Sequence, residues 1–256
     1  MAKVTALSFG YRRVPIFPQG RNTMVLVLTW AASAVDAISY LGLGHVFTAN
    51  MTGNAVLLGV AIGQGQGLAA LRSIIALAGF VVGVVLGAII VQKGPQQTDW
   101  PFAVTRAVLL EGIILGVFTI AWHLGAPGGT TLYALITLSA LAMGIQSAAI
   151  RHLKVPGIAT TYITGTLTSL VAELTAWIYR FRSSPAADPS GQSAAPDVTA
   201  HHDRGKGLQA LVLIIYVFAA LLSAFLQARH SRLVTLSPLA AVTLVALNAI
   251  ARHRHG

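Results

Sequence analysis

The chain has 256 residues, of which 55% are hydrophobic and only 9% charged, with a mean hydropathy of +0.73. An average soluble domain carries about 25% charged residues, so this composition excludes a soluble enzyme and fits a surface covered by lipid. The net charge of +10 does not mark a nucleic-acid binder, because the 17 Lys and Arg sit in short clusters between long apolar runs, as the positive-inside rule requires of a membrane protein.

A helix needs roughly 20 apolar residues to cross about 30 Å of hydrocarbon. In chain order, six segments meet that test: 23–44, 70–92, 102–124, 130–150, 207–228 and 233–251. Residues 1–22 carry Lys3, Arg12, Arg13 and Arg21 and read as a cytoplasmic tail. The first run shows no small-residue cleavage site and reads as a span, not a removed signal. Trp100 and Trp122 bracket the third clear span, where interfacial aromatics belong. Pro238 interrupts the last span near its start. Residues 183–206, rich in Ser, Ala, Pro and Asp, read as a solvent loop. Residues 252–256 form a basic tail.

Two further segments, 48–63 and 157–179, are apolar but interrupted by Thr, Gly and Asn. They carry an internal echo. Residues 46–54 read VFTANMTGN and residues 158–166 read IATTYITGT, so that Thr48, Thr52 and Gly53 align with Thr160, Thr164 and Gly165. The expected fold is therefore all-α, a polytopic helix bundle of six spans plus two broken or re-entrant segments. It divides into membrane repeat A, 23–124, and repeat B, 125–251. Six spans leave only Arg72, Arg229 and Arg232 outside, whereas eight spans move Lys93, Arg106, Arg151 and Lys154 outside with Arg229 and Arg232. The positive-inside rule favours six, with the N-terminus inside; seven and eight remain open because 157–179 is about long enough to cross and ends in Trp177, Tyr179, Arg180 and Arg182. Three spans per half invert the second repeat, a recurring transporter plan.

At AVDAISYLGLGHVFTANMTGNAVLLG (34–59) and ATTYITGTLTSLVAEL (159–174) the sequence resembles the YoaK-like family of bacterial membrane proteins. The resemblance extends roughly from Asn22 to Ile250 and is most specific at Asp36, Asn50, Thr52, Gly53 and Asn54. It implies a bacterial inner-membrane protein with about six helices and supplies no activity; transport is only presumed for that family.

Three acids lie inside apolar segments: Asp36, Glu111 and Glu173. A mid-bilayer charge costs at least ~2.5–3.5 kcal/mol on insertion scales, so these are candidate coupling acids; the competing role is an acid hydrogen-bonded to lock two helices. Asp36 joins Thr48, Asn50, Thr52, Gly53, Asn54, Thr160, Thr161, Tyr162, Thr164, Gly165 and Thr166 as candidate solute or ion ligands. Their hydroxyls and amides suit a polar solute or partly dehydrated ion; the plainer role is to cap and pack half-helices. Gly79, Gly83 and Gly87, and likewise Ala220, Ala224 and Ala228, form small-residue faces for close helix contact, within one chain or between copies.

The absence of cysteine excludes disulfides and thiolate ligands, and the scattered histidines lack acidic or thiol neighbours, so no metal and no cofactor is expected. His45, just before the first motif, is the histidine best placed to sense pH. No nucleotide-binding loop, HExxH or GxSxG occurs. The expectation is a non-enzyme: a secondary transporter of a small polar or ionic solute, with proton coupling as an option. A passive facilitator, or a scaffold or sensor acting through a protein partner, are the alternatives. The expected partners are the lipid bilayer and that solute, with homo-oligomers served by the small-residue faces.

Overall fold

The computed structural model describes residues 20–92, 98–125, 128–155, 163–182 and 197–255. These form eight helices: α1 (Arg21–Gly42), α2 (Met51–Gly63), α3 (Gly67–Gln92), α4 (Phe102–Leu124), α5 (Gly129–His152), α6 (Ile163–Arg182), α7 (Asp197–His230) and α8 (Leu236–His255). Six have stretches long and apolar enough to cross a membrane: α1, α3, α4, α5, residues 207–230 of α7, and α8. The all-helical bundle and its six candidate spans match the sequence expectation. α2 has 13 residues, about 20 Å at helical rise, too short to cross alone.

Two boundaries differ from the sequence reading. The predicted loop 183–206 ends early, because α7 already begins at Asp197. Pro238 does not break the last span. It sits in the first turn of α8, where a proline's missing N–H costs no helical hydrogen bond.

The centre of the bundle is built from α1, α3, α4, α5 and α8. One buried cluster joins Leu28, Val35, Val104, Val108, Met143, Ile145, Val242 and Val245. Outward, α3 exposes Val81, Val85 and Ile89 and α7 exposes Ile214, Val217 and Phe218, as a lipid-facing surface does.

Glycine sets the closest contact. A Cβ on Gly83 would lie 2.2 Å from the Leu141 carbonyl oxygen, and one on Gly144 would lie 2.3 Å from that of Phe80. α3 and α5 therefore touch backbone to backbone, the geometry small residues permit in membranes. Gly79 and Gly87 meet α5 as well, so the glycine face is used inside the chain. The alanine face of α7 differs: Ala224 and Ala228 are exposed.

Neighbouring helices fall into recurrent pairs. α3 packs on α5 and α1 on α7; α2 packs on α3 and α6 on α7; α4 packs on α5 and α1 on α8; α4 also meets α8, and α1 meets α5. Charges separate along the bundle. Arg21 and Lys154 line one hollow at one end. There Thr105, beside Arg106, meets His253, beside Arg252, at 3.2 Å. At the other end Arg72 Nη1 donates to the Gly44 carbonyl, 3.3 Å, and Trp122 Nε1 donates to the Ser231 carbonyl, 3.1 Å, between Arg229 and Arg232.

Candidate functional site

The first interrupted segment is built around Asp36. One carboxylate oxygen, Oδ1, accepts backbone N–H groups from Thr48 (2.9 Å), Ala49 (2.7 Å) and Asn50 (3.3 Å). The other, Oδ2, accepts the Tyr216 hydroxyl at 3.1 Å. Asp36 thus binds the chain entering α2 and ties α1 to α7. It is 4% exposed, and its carboxyl lies at the N-terminal end of α2, the positive end of that helix's dipole.

The remaining motif residues divide by task. Asn50 caps α2, its side-chain oxygen accepting Gly53 N–H at 3.1 Å. Asn54 clips the incoming strand of chain, accepting the Phe47 N–H at 2.9 Å and donating to the Phe47 carbonyl. Gly53 leaves room for the Phe47 ring, which a Cβ would approach to 2.9 Å. Thr48 is fully buried and donates to Ser39 Oγ at 3.3 Å. These contacts return the chain to the depth of Asp36 after α1 has ended, so α2 starts inside the bundle and leads back to α3. The start of the segment lies against a buried residue of a candidate span, and its polar backbone there is shielded by protein, the condition for irregular structure at membrane depth.

A cavity of about 330 Å³ opens beside it, lined by Asn50, Thr52, Gly53 and Val56 of the first segment, Ile163 and Thr164 of the second, and Tyr216 of α7. The two motif segments, remote in sequence, share one wall-to-wall space. No lining side chain carries a formal charge; the groups offered are two threonine hydroxyls, an amide and a phenol. Behind that phenol stands the Asp36 carboxylate.

Of the sequence candidates, Asn50, Thr52, Gly53 and Thr164 line the cavity. Asp36, Thr48 and Asn54 sit behind its wall as buried supports, and Thr166 is buried too, at 1% exposure. Gly165 falls in the first turn of α6 but is not a lining residue. Thr160, Thr161 and Tyr162 lie outside the described residues, as does the Glu173 side chain. Sequence reasoning missed Tyr216, Val56 and Ile163. A lone phenol inside the apolar run LVLIIYVF was the available signal for Tyr216.

Glu111 stands apart. It is fully buried in α4, and neither carboxylate oxygen has a hydrogen-bond partner among the described residues. The residues one turn away on its helix, Val108 and Leu115, are buried and apolar. His45 is exposed with a left-handed φ of 63° and packs edge-on against Tyr40; it does not line the cavity. No cluster of potential metal ligands occurs among the described residues.

Comparison with known proteins agrees with the membrane architecture. The transmembrane protein YoaK (UPF0700) of Bacillus subtilis strain 168 is 44% identical over 159 residues, covering 62% of this chain and 69% of that one. No solved structure matches the chain. The family described as "Protein of unknown function (DUF1275)" matches residues 24–249, and the chain, an integral membrane protein, belongs to it.

Proposed function

We propose that this protein is a secondary transporter of a small polar or ionic solute, bound in the cavity between the two motif segments. It lies in a bacterial inner membrane with the N-terminus in the cytoplasm. The carrying observation is that Thr52 and Thr164, aligned in the sequence echo, line the same space inside a bundle of six candidate spans. Transporter sites commonly form where broken helices from two repeats meet.

The pattern of helix neighbours supports a repeat. Exchanging α1 with α5, α2 with α6, α3 with α7 and α4 with α8 turns the α1–α7 contact into α5–α3, α2–α3 into α6–α7, and α1–α8 into α5–α4. The α3–α4 contact is the exception, with no comparable α7–α8 contact. The concentration of Arg21, Arg106, Arg151, Lys154 and Arg252 toward one end supports assigning that end to the cytoplasm. In this reading Asp36 and Glu111 couple solute movement to protons. The one carboxylate at the cavity, Asp36 behind the Tyr216 hydroxyl, is already engaged by three backbone N–H groups, which supports a binding role over bond-making chemistry.

One observation favours a passive facilitator instead. Asp36 already has four donors from its own chain, the arrangement of a structural clip.

Single cysteines at Thr52, Val56 and Thr164 test the shared reading. The cysteine-free chain needs no background removal. All three are expected to react with a water-soluble thiol reagent, and a cysteine at lipid-facing Val117 is not. If no cavity position reacts from either side of the membrane, the space is closed to water and a solute pathway through it is excluded. Flux that stops in Asp36→Asn and Glu111→Gln supports the coupled transporter; flux that survives both supports the facilitator.

A further inference from the structure

We propose that a second site, at the basic end of the bundle, binds a phosphate-bearing anion where the start of α1, the approach to α4 and the end of α5 enclose Arg21, His152 and Lys154.

The hollow there measures about 320 Å³ and is lined by Arg21, Thr98, Asp99, His152 and Lys154, with Pro101 and Leu153 as its apolar floor. That volume is near the lower bound of small-ligand pockets, about 300–1,000 Å³, and suits a phosphate with a small substituent. It shares no lining residue with the cavity between the motif segments, so the proposal stands without the transport reading.

Four features select an anion. Arg21 and Lys154 bring two cations to the lining. Arg151, in the last turn of α5, adds a third nearby charge. Two helices begin here without capping side chains: α1 behind Gly20 and α4 behind Pro101, neither with an acid in its first turn. No side chain among the described residues caps either helix start, and anions gain from the positive ends of both dipoles. His152 Nε2 has no hydrogen-bond partner among the described residues and lies on a residue of the lining. Lys154 is held in a left-handed conformation, φ 48°, just past the end of α5, which turns the chain sharply at the mouth of the hollow.

Asp99 is the one acid in the lining, and it is exposed. It weakens the field without cancelling it. A basic pocket between spans on the cytoplasmic side is the chemistry that recognises an anionic lipid headgroup. A soluble phosphate offers the same oxygens, so the ligand class is shared and its source is a matter for measurement.

The test uses the full chain in neutral detergent and follows its thermal unfolding midpoint, since a ligand that binds the folded state stabilises it by mass action. The probes are phosphatidylglycerol in mixed micelles, phosphatidylcholine as the zwitterionic control, and inorganic phosphate against chloride at equal ionic strength. Phosphatidylglycerol is expected to raise the midpoint saturably by a few degrees. The control is expected to do nothing, and Arg21→Gln combined with Lys154→Gln is expected to remove the effect. A rise with phosphatidylglycerol alone identifies a lipid headgroup; a rise with inorganic phosphate identifies a soluble ligand. An equal rise in the wild type and the double variant, or no rise with either probe, overturns the site. Should the double variant not fold, Asp99→Asn replaces it. That variant is expected to lower the half-saturating concentration severalfold, and an unchanged value overturns the proposal.

Discussion

The Tyr216 hydroxyl donates a 3.1 Å hydrogen bond to Asp36 Oδ2, while Asp36 Oδ1 accepts three backbone N–H groups from the chain entering α2. One carboxylate therefore couples the cavity-lining face of α7 to the start of α2. A motion of α7 against α1 would be felt at Thr48, Ala49 and Asn50 through these bonds.

Substitutions at this pair should rank in a fixed order. Tyr216→Phe removes one donor and keeps the ring, so it is expected to cost about 1–3 kcal/mol. Asp36→Asn keeps an acceptor oxygen for the backbone and should cost a similar amount. Asp36→Ala leaves three buried N–H groups without an acceptor and should be the most damaging. Thermal or denaturant unfolding in detergent reads the order. An Asp36→Ala protein as stable as the wild type would remove Asp36 as the clip.

Glu111 is predicted to behave in the opposite way. A buried carboxyl with no hydrogen-bond partner among the described residues costs free energy that an apolar side chain of similar volume would not. Glu111→Leu should therefore raise stability by about 1–3 kcal/mol. A residue retained at such a cost is a candidate for function, so the same variant is expected to lose coupled flux. Reduced stability in Glu111→Leu would show that the carboxyl has a partner and is structural.

The α3–α5 contact makes a sharp packing prediction. Gly83→Ala would set its methyl against the backbone oxygen of Leu141, which cannot swing away as a flexible side chain could. Overpacking of this kind costs typically about 1–3 kcal/mol. Gly59→Ala is the control, because nothing lies within 4 Å of its added Cβ and alanine is the better helix former. Equal behaviour of the two variants would mean that α3 and α5 are not in backbone contact.

Much of this architecture was readable from periodicity and composition alone. The six spans appear as uninterrupted apolar runs, and the charge asymmetry that favoured six over eight reappears as separate basic and sparsely charged ends of the bundle. The glycine spacing of α3 indicated close packing but not its partner, since a small-residue face fits a helix of the same chain or of another copy equally well. The motif segments stood out because Asn and Thr are costly in an apolar run. Their division into lining and support was not visible. Whether Asn54 faces a cavity or a backbone depends on where Phe47 returns, which is a tertiary matter. Tyr216 escaped because a single phenol in an apolar helix reads as ordinary hydrophobic surface until its hydroxyl meets a partner on α1.

That division yields the prediction that separates solute handling from scaffolding within one motif. Asn54→Ala strips both hydrogen bonds from the Phe47 backbone and should destabilise the protein by about 1–3 kcal/mol. Thr52→Ala and Thr164→Ala remove hydroxyls that face the cavity. No hydrogen bond is made by either hydroxyl among the described residues, so stability should change by less than about 0.5 kcal/mol, as for substitutions away from structural features. If the cavity binds solute, these two variants should instead alter flux, and the paired Thr52→Ala, Thr164→Ala protein should fall below either single one. Unfolding midpoints and flux in vesicles, measured on the same preparations, distinguish the cases. Loss of stability in the threonine variants would make the whole motif a packing device, and the solute site would have to be sought elsewhere in the bundle.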